Sequence, residues 1–63
     1  MWTFQFVSLQ YALVISIDYR CNDSHLIHDK TLTFQYDSHD DMLERIERNA
    51  GHEAALAYTE WRH

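Results

Sequence analysis

The chain has 63 residues, one cysteine, one glycine, no proline and a formal net charge of −5. That length holds a single domain (residues 1–63) and leaves much of its surface in water, and a lone cysteine excludes an intramolecular disulfide. The acid excess argues against direct binding of DNA or RNA, which needs lysine and arginine for its phosphates.

Stability must then come from two sources. One is an aromatic core drawn from Trp2, Phe4, Phe6, Tyr11, Tyr19, Phe34, Tyr36, Tyr58 and Trp61. The other is burial against a partner or a second copy. The charge is uneven: residues 37–63 carry seven acids against three arginines, residues 1–36 three acids against Arg20 and Lys30. A field of that sign favours basic partners.

At the N-terminus, Trp2, Phe4 and Phe6 alternate on even positions, whereas Leu9, Tyr11, Leu13, Ile15, Ile17 and Tyr19 alternate on odd ones. The phase flips at Val7-Ser8. A one-residue slip turns every later side chain to the opposite face, so a bent or β-bulged strand is expected there, although two short strands separated by a corner would show the same pattern. No Gly, Pro or Asn-Gly marks a tight turn, which argues against a hairpin at this point. Leu9–Tyr19 reads as the principal strand, with Ala12 and Val14 making the centre of its second face apolar as well. Such a strand is expected to be covered on both sides, by a helix on one and by the N-terminal segment or another chain on the other.

Arg20-Cys21-Asn22-Asp23-Ser24 has turn chemistry. From His25 to Tyr36, Leu26, Leu32, Phe34 and Tyr36 hold the even register, and His28 and Lys30 interrupt it. The segment is expected to pair with the principal strand as an antiparallel hairpin, with residues 25–30 open to a looped alternative in which the strand starts at Thr31. Ser38 followed by Asp40, Asp41 and Glu44 is a helix start, with an acid three residues after the cap and negative charge in the first turn, where the helix dipole favours it. Asp41–Arg45 and Glu44–Arg48 are spaced for ion pairs. Leu43, Ile46, Ala50, Ala54, Ala57 and Trp61 form one stripe, with Met42 and Tyr58 at its margins. Gly51 kinks or breaks the helix, since glycine is unfavourable inside one. The expected fold is therefore α+β: a bent antiparallel hairpin, with room for a third strand, packed on a C-terminal helix. The N-terminus lacks the charged start of a signal peptide and no apolar run approaches a membrane span. The expectation is no membrane contact and, with one thiol, a cytoplasmic location.

Few residues carry chemistry. Cys21, His25 and His28 form C-x3-H-x2-H, but zinc takes four ligands, usually as two spaced pairs, and two histidines three apart on a strand point to opposite faces. No metal or other cofactor is expected. The five histidines do not cluster with a nucleophile, and catalysis needs acid, base and nucleophile held together in a pocket, so an enzyme is not expected. The acids Asp37, Asp40, Asp41, Glu44 and Glu47 are explained by helix capping and solvation. The same residues also form a surface suited to a basic groove. Trp2, Phe4 and Trp61 are core-completing residues or interface anchors, the usual role of tryptophan at a protein contact.

The passage Phe34-Gln35-Tyr36-Asp37-Ser38-His39-Asp40-Asp41-Met42-Leu43-Glu44, a strand running through Asp-Ser into an acidic helix, resembles small acidic phage-encoded inhibitors, among them some anti-CRISPR proteins. The resemblance covers about a dozen residues in a small acidic chain and carries over no functional residue. It implies a non-enzymatic inhibitor, acting in the host cytoplasm if phage-encoded, that blocks a larger basic nucleic-acid-handling complex, with an acidic face able to mimic DNA. The expected partner-binding residues are Asp37, Asp40, Asp41, Glu44, Glu47, Trp2, Phe4 and Trp61. The alternative is a homo-oligomerising module, a homodimer in its simplest form, whose sheet faces or edges self-associate.

Overall fold

The computed structural model describes residues 1–21 and 25–62. Three strands, β1 (Trp2–Ser8), β2 (Ala12–Cys21) and β3 (His25–Gln35), precede two helices, α1 (His39–Ala50) and α2 (His52–Arg62). The strands form one antiparallel sheet in the order β1-β2-β3, so the α+β class read from the sequence is the one observed.

The phase flip at Val7-Ser8 is a hairpin, which corrects the expected bend or bulge. Ser8 pairs with Leu13, and Leu9 donates its N–H to the Ala12 carbonyl at 2.8 Å. Phe4 lies opposite Ile17 and Phe6 opposite Ile15. In this register an even residue of β1 shares a face with an odd residue of β2. A hairpin therefore needs the switch in apolar phase that a bulge would also explain.

The bulge lies elsewhere. Ile17 pairs with Lys30 but Asp18 pairs with His28, leaving Asp29 as the extra residue of β3. This irregularity accounts for the broken alternation at His28 and Lys30. Leu32 and Phe34 share the face of Leu13 and Ile15, and beyond the bulge Ile27 takes that face while Leu26 turns to the other. Residues 25–30 are strand rather than loop. Arg20 and Cys21 end β2, while the remainder of the expected turn, Asn22-Asp23-Ser24, lies outside the described residues.

Both helices lie on the face carrying Leu13, Ile15, Ile17 and Phe34. The core is completed by Met42, Ile46, Ala54, Ala55 and Tyr58, with Phe4, Phe6, Leu32, Leu43 and Ala50 partly buried against it. Met42 and Tyr58 are therefore central, not marginal. Ser38 caps α1, its Oγ accepting from the Asp41 N–H at 3.3 Å. Arg45 does not pair with Asp41; it donates to the Gln35 carbonyl at 2.9 Å and stands over the Phe34 ring, tying α1 to the end of β3. Glu44 and Arg48 do pair, at 2.7 Å.

The two helices break at Gly51, whose φ of 99° and ψ of 168° lie in a region open essentially to glycine alone. Its N–H closes α1 on the Glu47 carbonyl at 3.0 Å, and its carbonyl accepts from Ala55 at 3.3 Å to open α2. The stripe read through Gly51 thus belongs to two helices phased separately. Gly51→Ala is expected to destabilise the fold by about 1–3 kcal/mol, although an added Cβ meets nothing within 4 Å. In one continuous helix the same change would stabilise by about 1 kcal/mol. The sign is read from urea unfolding at one protein concentration.

The opposite sheet face, with Val7, Val14 and Thr33 in one row, has no helix over it among the described residues. The N-terminal segment adds to the sheet edge and does not cover this face, contrary to the expected two-sided cover. The helices also fall short along the strands. Twelve residues of α1 span about 18 Å, whereas the molecule is 37 Å long. The sheet end holding Trp2, Tyr19 and Ile27 is left exposed. No helix among the described residues is long and apolar enough to cross a membrane.

Candidate partner-binding surface

The acids of α1 owe their placement to helical periodicity. Met42 and Ile46 are buried against the sheet, which turns Asp40, Asp41, Glu44 and Glu47 to solvent, and all four are exposed. Asp40, Glu44 and Glu47 recur about once per turn, roughly 5 Å apart. Asp37 continues the line before the helix, its carboxylate accepting from the Ser38 N–H at 2.8 Å. Two basic side chains touch this face: Arg48 through its pair with Glu44, and His52, whose Nδ1 lies 3.2 Å from Glu47. The cap itself is Ser38, whose N–H goes to Asp37 and not to Asp41, while Asp40 and Asp41 stand in the first turn and face outward.

Beside this face runs a feature the sequence reading missed. Leu43, Glu44 and Glu47 of α1 and His52, Ala55, Leu56 and Thr59 of α2 line a shallow groove of about 360 Å³ between the helices. Leu56 is 52% exposed. Its position off the apolar stripe was the available signal.

The three aromatic residues expected to bind a partner are not together. Trp2 packs edge-on against Tyr19 with ring centroids 5.1 Å apart. Trp2 and Phe4 border an open groove of about 510 Å³ under the helix break, lined also by Ile17, Asp29, Lys30 and Gly51. Trp61 instead stacks on Phe6 at 5.3 Å and flanks Tyr58 at 6.0 Å. Trp61 completes an aromatic cluster, and Trp2 and Phe4 flank a groove. Trp61 and Tyr58 line an open groove together with Asp37, so the aromatic cluster adjoins the start of the Asp37–Glu44 line, whereas the groove at Trp2 and Phe4 is lined by none of those acids.

A second polar grouping lies on the uncovered sheet face. Asp18, only 6% exposed, meets His28 Nδ1 at 2.8 Å, and His28 Nε2 lies 3.1 Å from the Thr31 hydroxyl. Both ring nitrogens of His28 are thus engaged, and His28 lies on the face opposite that of the Cys21–His25 pair. Carboxylate, imidazole and hydroxyl stand in the order of a nucleophile relay. Acyl transfer also needs donors aimed at a developing oxyanion beside that hydroxyl. On a paired strand the N–H groups around Thr31 lie in the sheet plane, away from its hydroxyl. The grouping spans the bulge at Asp29 and fixes the β2–β3 register there. Among the described residues no three Cys, His, Asp or Glu side chains are placed to share a metal ion.

Comparison with protein-family models, with curated proteins and with solved structures finds no match.

Proposed function

We propose that this chain is a non-enzymatic protein-binding inhibitor that occupies the nucleic-acid-binding surface of a larger, basic protein or nucleoprotein complex. The observation that carries the reading is the outward line of Asp40, Asp41, Glu44 and Glu47 on the solvent side of one packed helix, continued by Asp37 just before it. Charge held on a packed helix keeps its spacing on binding, so little ordering entropy is lost. Acids of one sign steer a basic partner and set register, and the Leu43–Leu56 groove beside them offers apolar area. On this reading the protein works in the cytoplasm, in that of the host if phage-encoded, and blocks its target by steric occupation.

The test is capture from lysate on the immobilised chain with a salt-step elution. A nucleic-acid-binding protein released as salt screens the contact is the expected result. Recovery of only salt-insensitive or acidic proteins would refute the proposal.

A second reading, a self-associating module, is favoured by a separate observation: Val7 is exposed on the sheet face that no helix among the described residues covers, and Trp2, Tyr19 and Ile27 are exposed at the sheet end beyond the reach of the helices.

A further inference from the structure

The two edges of the sheet are not alike. An exposed strand edge invites another strand, and proteins blunt such edges with charges, proline or bulges. The β3 edge has two of these devices, the bulge at Asp29 and the neighbouring charges Asp29 and Lys30. The β1 edge, Trp-Thr-Phe-Gln-Phe-Val-Ser, has none: it is seven regular residues without charge or proline. Residues 1–17 contain no Asp, Glu, Lys, Arg or His at all, so the acids that give the chain its −5 charge lie elsewhere.

The direction of each β1 peptide group follows from its ends. Arg20 donates its N–H to the Met1 carbonyl at 2.7 Å, and the Met1 ammonium donates to the Arg20 carbonyl at 3.0 Å. Leu9 donates to Ala12 at the other end. Antiparallel ladders alternate bonded and non-bonded pairs. The odd residues of β1 therefore bond to β2, and the N–H and C=O groups of Trp2, Phe4, Phe6 and Ser8 point outward.

Resting on the self-association reading, we infer that the outer edge of β1 pairs with the same edge of a second copy, antiparallel, about a two-fold axis at Gln5. This register places Phe4 opposite Phe6 and Trp2 opposite Ser8 of the other copy. All four residues carry outward backbone groups, so each pair exchanges two main-chain hydrogen bonds. Facing residues also match in kind. Phe4 and Phe6 meet on the helix-covered face, where aromatic cross-strand pairs are favourable, and Trp61, stacked on Phe6, then lies beside Phe4 of the other copy. Thr3 meets Val7 on the uncovered face, and the two Gln5 amides adjoin each other on the axis. Absence of charged side chains along this edge keeps like charges out of the contact between two acidic chains. The product is a continuous six-stranded sheet with both protected β3 edges outermost and an acidic helix on each half.

The test is the mass of the full chain by light scattering over a range of concentrations, with site-directed cross-linking in a Cys21→Ser background. A dimer is expected. Oxidised Gln5→Cys should give a covalent dimer, because Gln5 faces its own equivalent. Val7→Cys should not, because the two Val7 positions lie about 13 Å apart along the strands. Gln5→Lys, at an exposed position, should keep the monomer's circular dichroism and weaken the dimer about fivefold or more, since like charges then stand opposite each other. A monomer at every concentration overturns both this pairing and the self-association reading. A dimer that Gln5→Lys leaves intact and Gln5→Cys does not link overturns the β1 pairing alone.

Discussion

Tyr58→Ala is expected to unfold most of the protein at room temperature. Tyr58 is 1% exposed and joins β1 to the end of α2. Its ring sits 6.1 Å from Phe6, 6.0 Å from Trp61 and 6.1 Å from His39, with the Arg62 guanidinium over it at 5.8 Å. Truncating a buried aromatic residue to alanine costs about 3–5 kcal/mol. A small single-core domain without disulfides has roughly that much stability in total. Tyr58→Phe keeps the ring and loses only the Arg62–hydroxyl hydrogen bond at 3.2 Å. Its cost should be about 1 kcal/mol. Urea unfolding of both variants, followed by circular dichroism at one protein concentration because association would shift the midpoint, separates the two. A Tyr58→Ala variant with an unaltered transition would show that the aromatic cluster is not the core of this fold.

The second large effect concerns binding. Reversing Asp40, Asp41 and Glu44 to lysine changes the charge of the α1 face by six. These side chains are exposed, and the buried Met42 and Ile46 beside them are untouched. The fold should survive with only a modest loss, since reversal removes favourable charge from the first helical turn, where each acid is worth about 0.3–1 kcal/mol, and breaks an exposed pair with Arg48 that is worth less than about 1 kcal/mol. Affinity for a basic partner should fall by a hundredfold or more, because attraction becomes repulsion and like-charge juxtaposition costs several kcal/mol. Titration calorimetry with the captured partner measures the change. Retained affinity in a folded variant would move the binding site to the aromatic groove at Trp2 and Phe4.

How much of this was legible in the sequence differs by element. The α1 start was fully legible, because capping is local: Ser38 and the acids after it need no tertiary partner to declare themselves. The break at Gly51 was legible as a choice between kink and interruption, and its backbone conformation decides for interruption. The β1–β2 hairpin is not legible, because Leu9-Gln10-Tyr11 contains no turn-forming residue, and a phase switch by itself fits a bulge as well as a hairpin. The bulge at Asp29 was hidden for a related reason. It can be placed only once the partner strand is known, since it is a mismatch between two strands and not a property of one. Met42 and Tyr58 fall at the margin of a stripe only when one continuous helix phases both halves. For the candidate surface, periodicity alone placed the acids of α1 correctly in solvent. The separation of Trp61 from Trp2 and Phe4 depends on where α2 crosses the sheet, which no local pattern encodes, and the Asp18–His28–Thr31 grouping depends on the register across the bulge.

The central claim is that the acidic helix occupies a surface that nucleic acid would otherwise use. Its most direct test is competition: the captured partner is loaded with labelled nucleic acid and titrated with this protein while fluorescence anisotropy is followed. Displacement of the nucleic acid in step with occupancy, absent with the charge-reversed variant, is the predicted result. Nucleic acid and protein bound together on the same partner at saturation would contradict it.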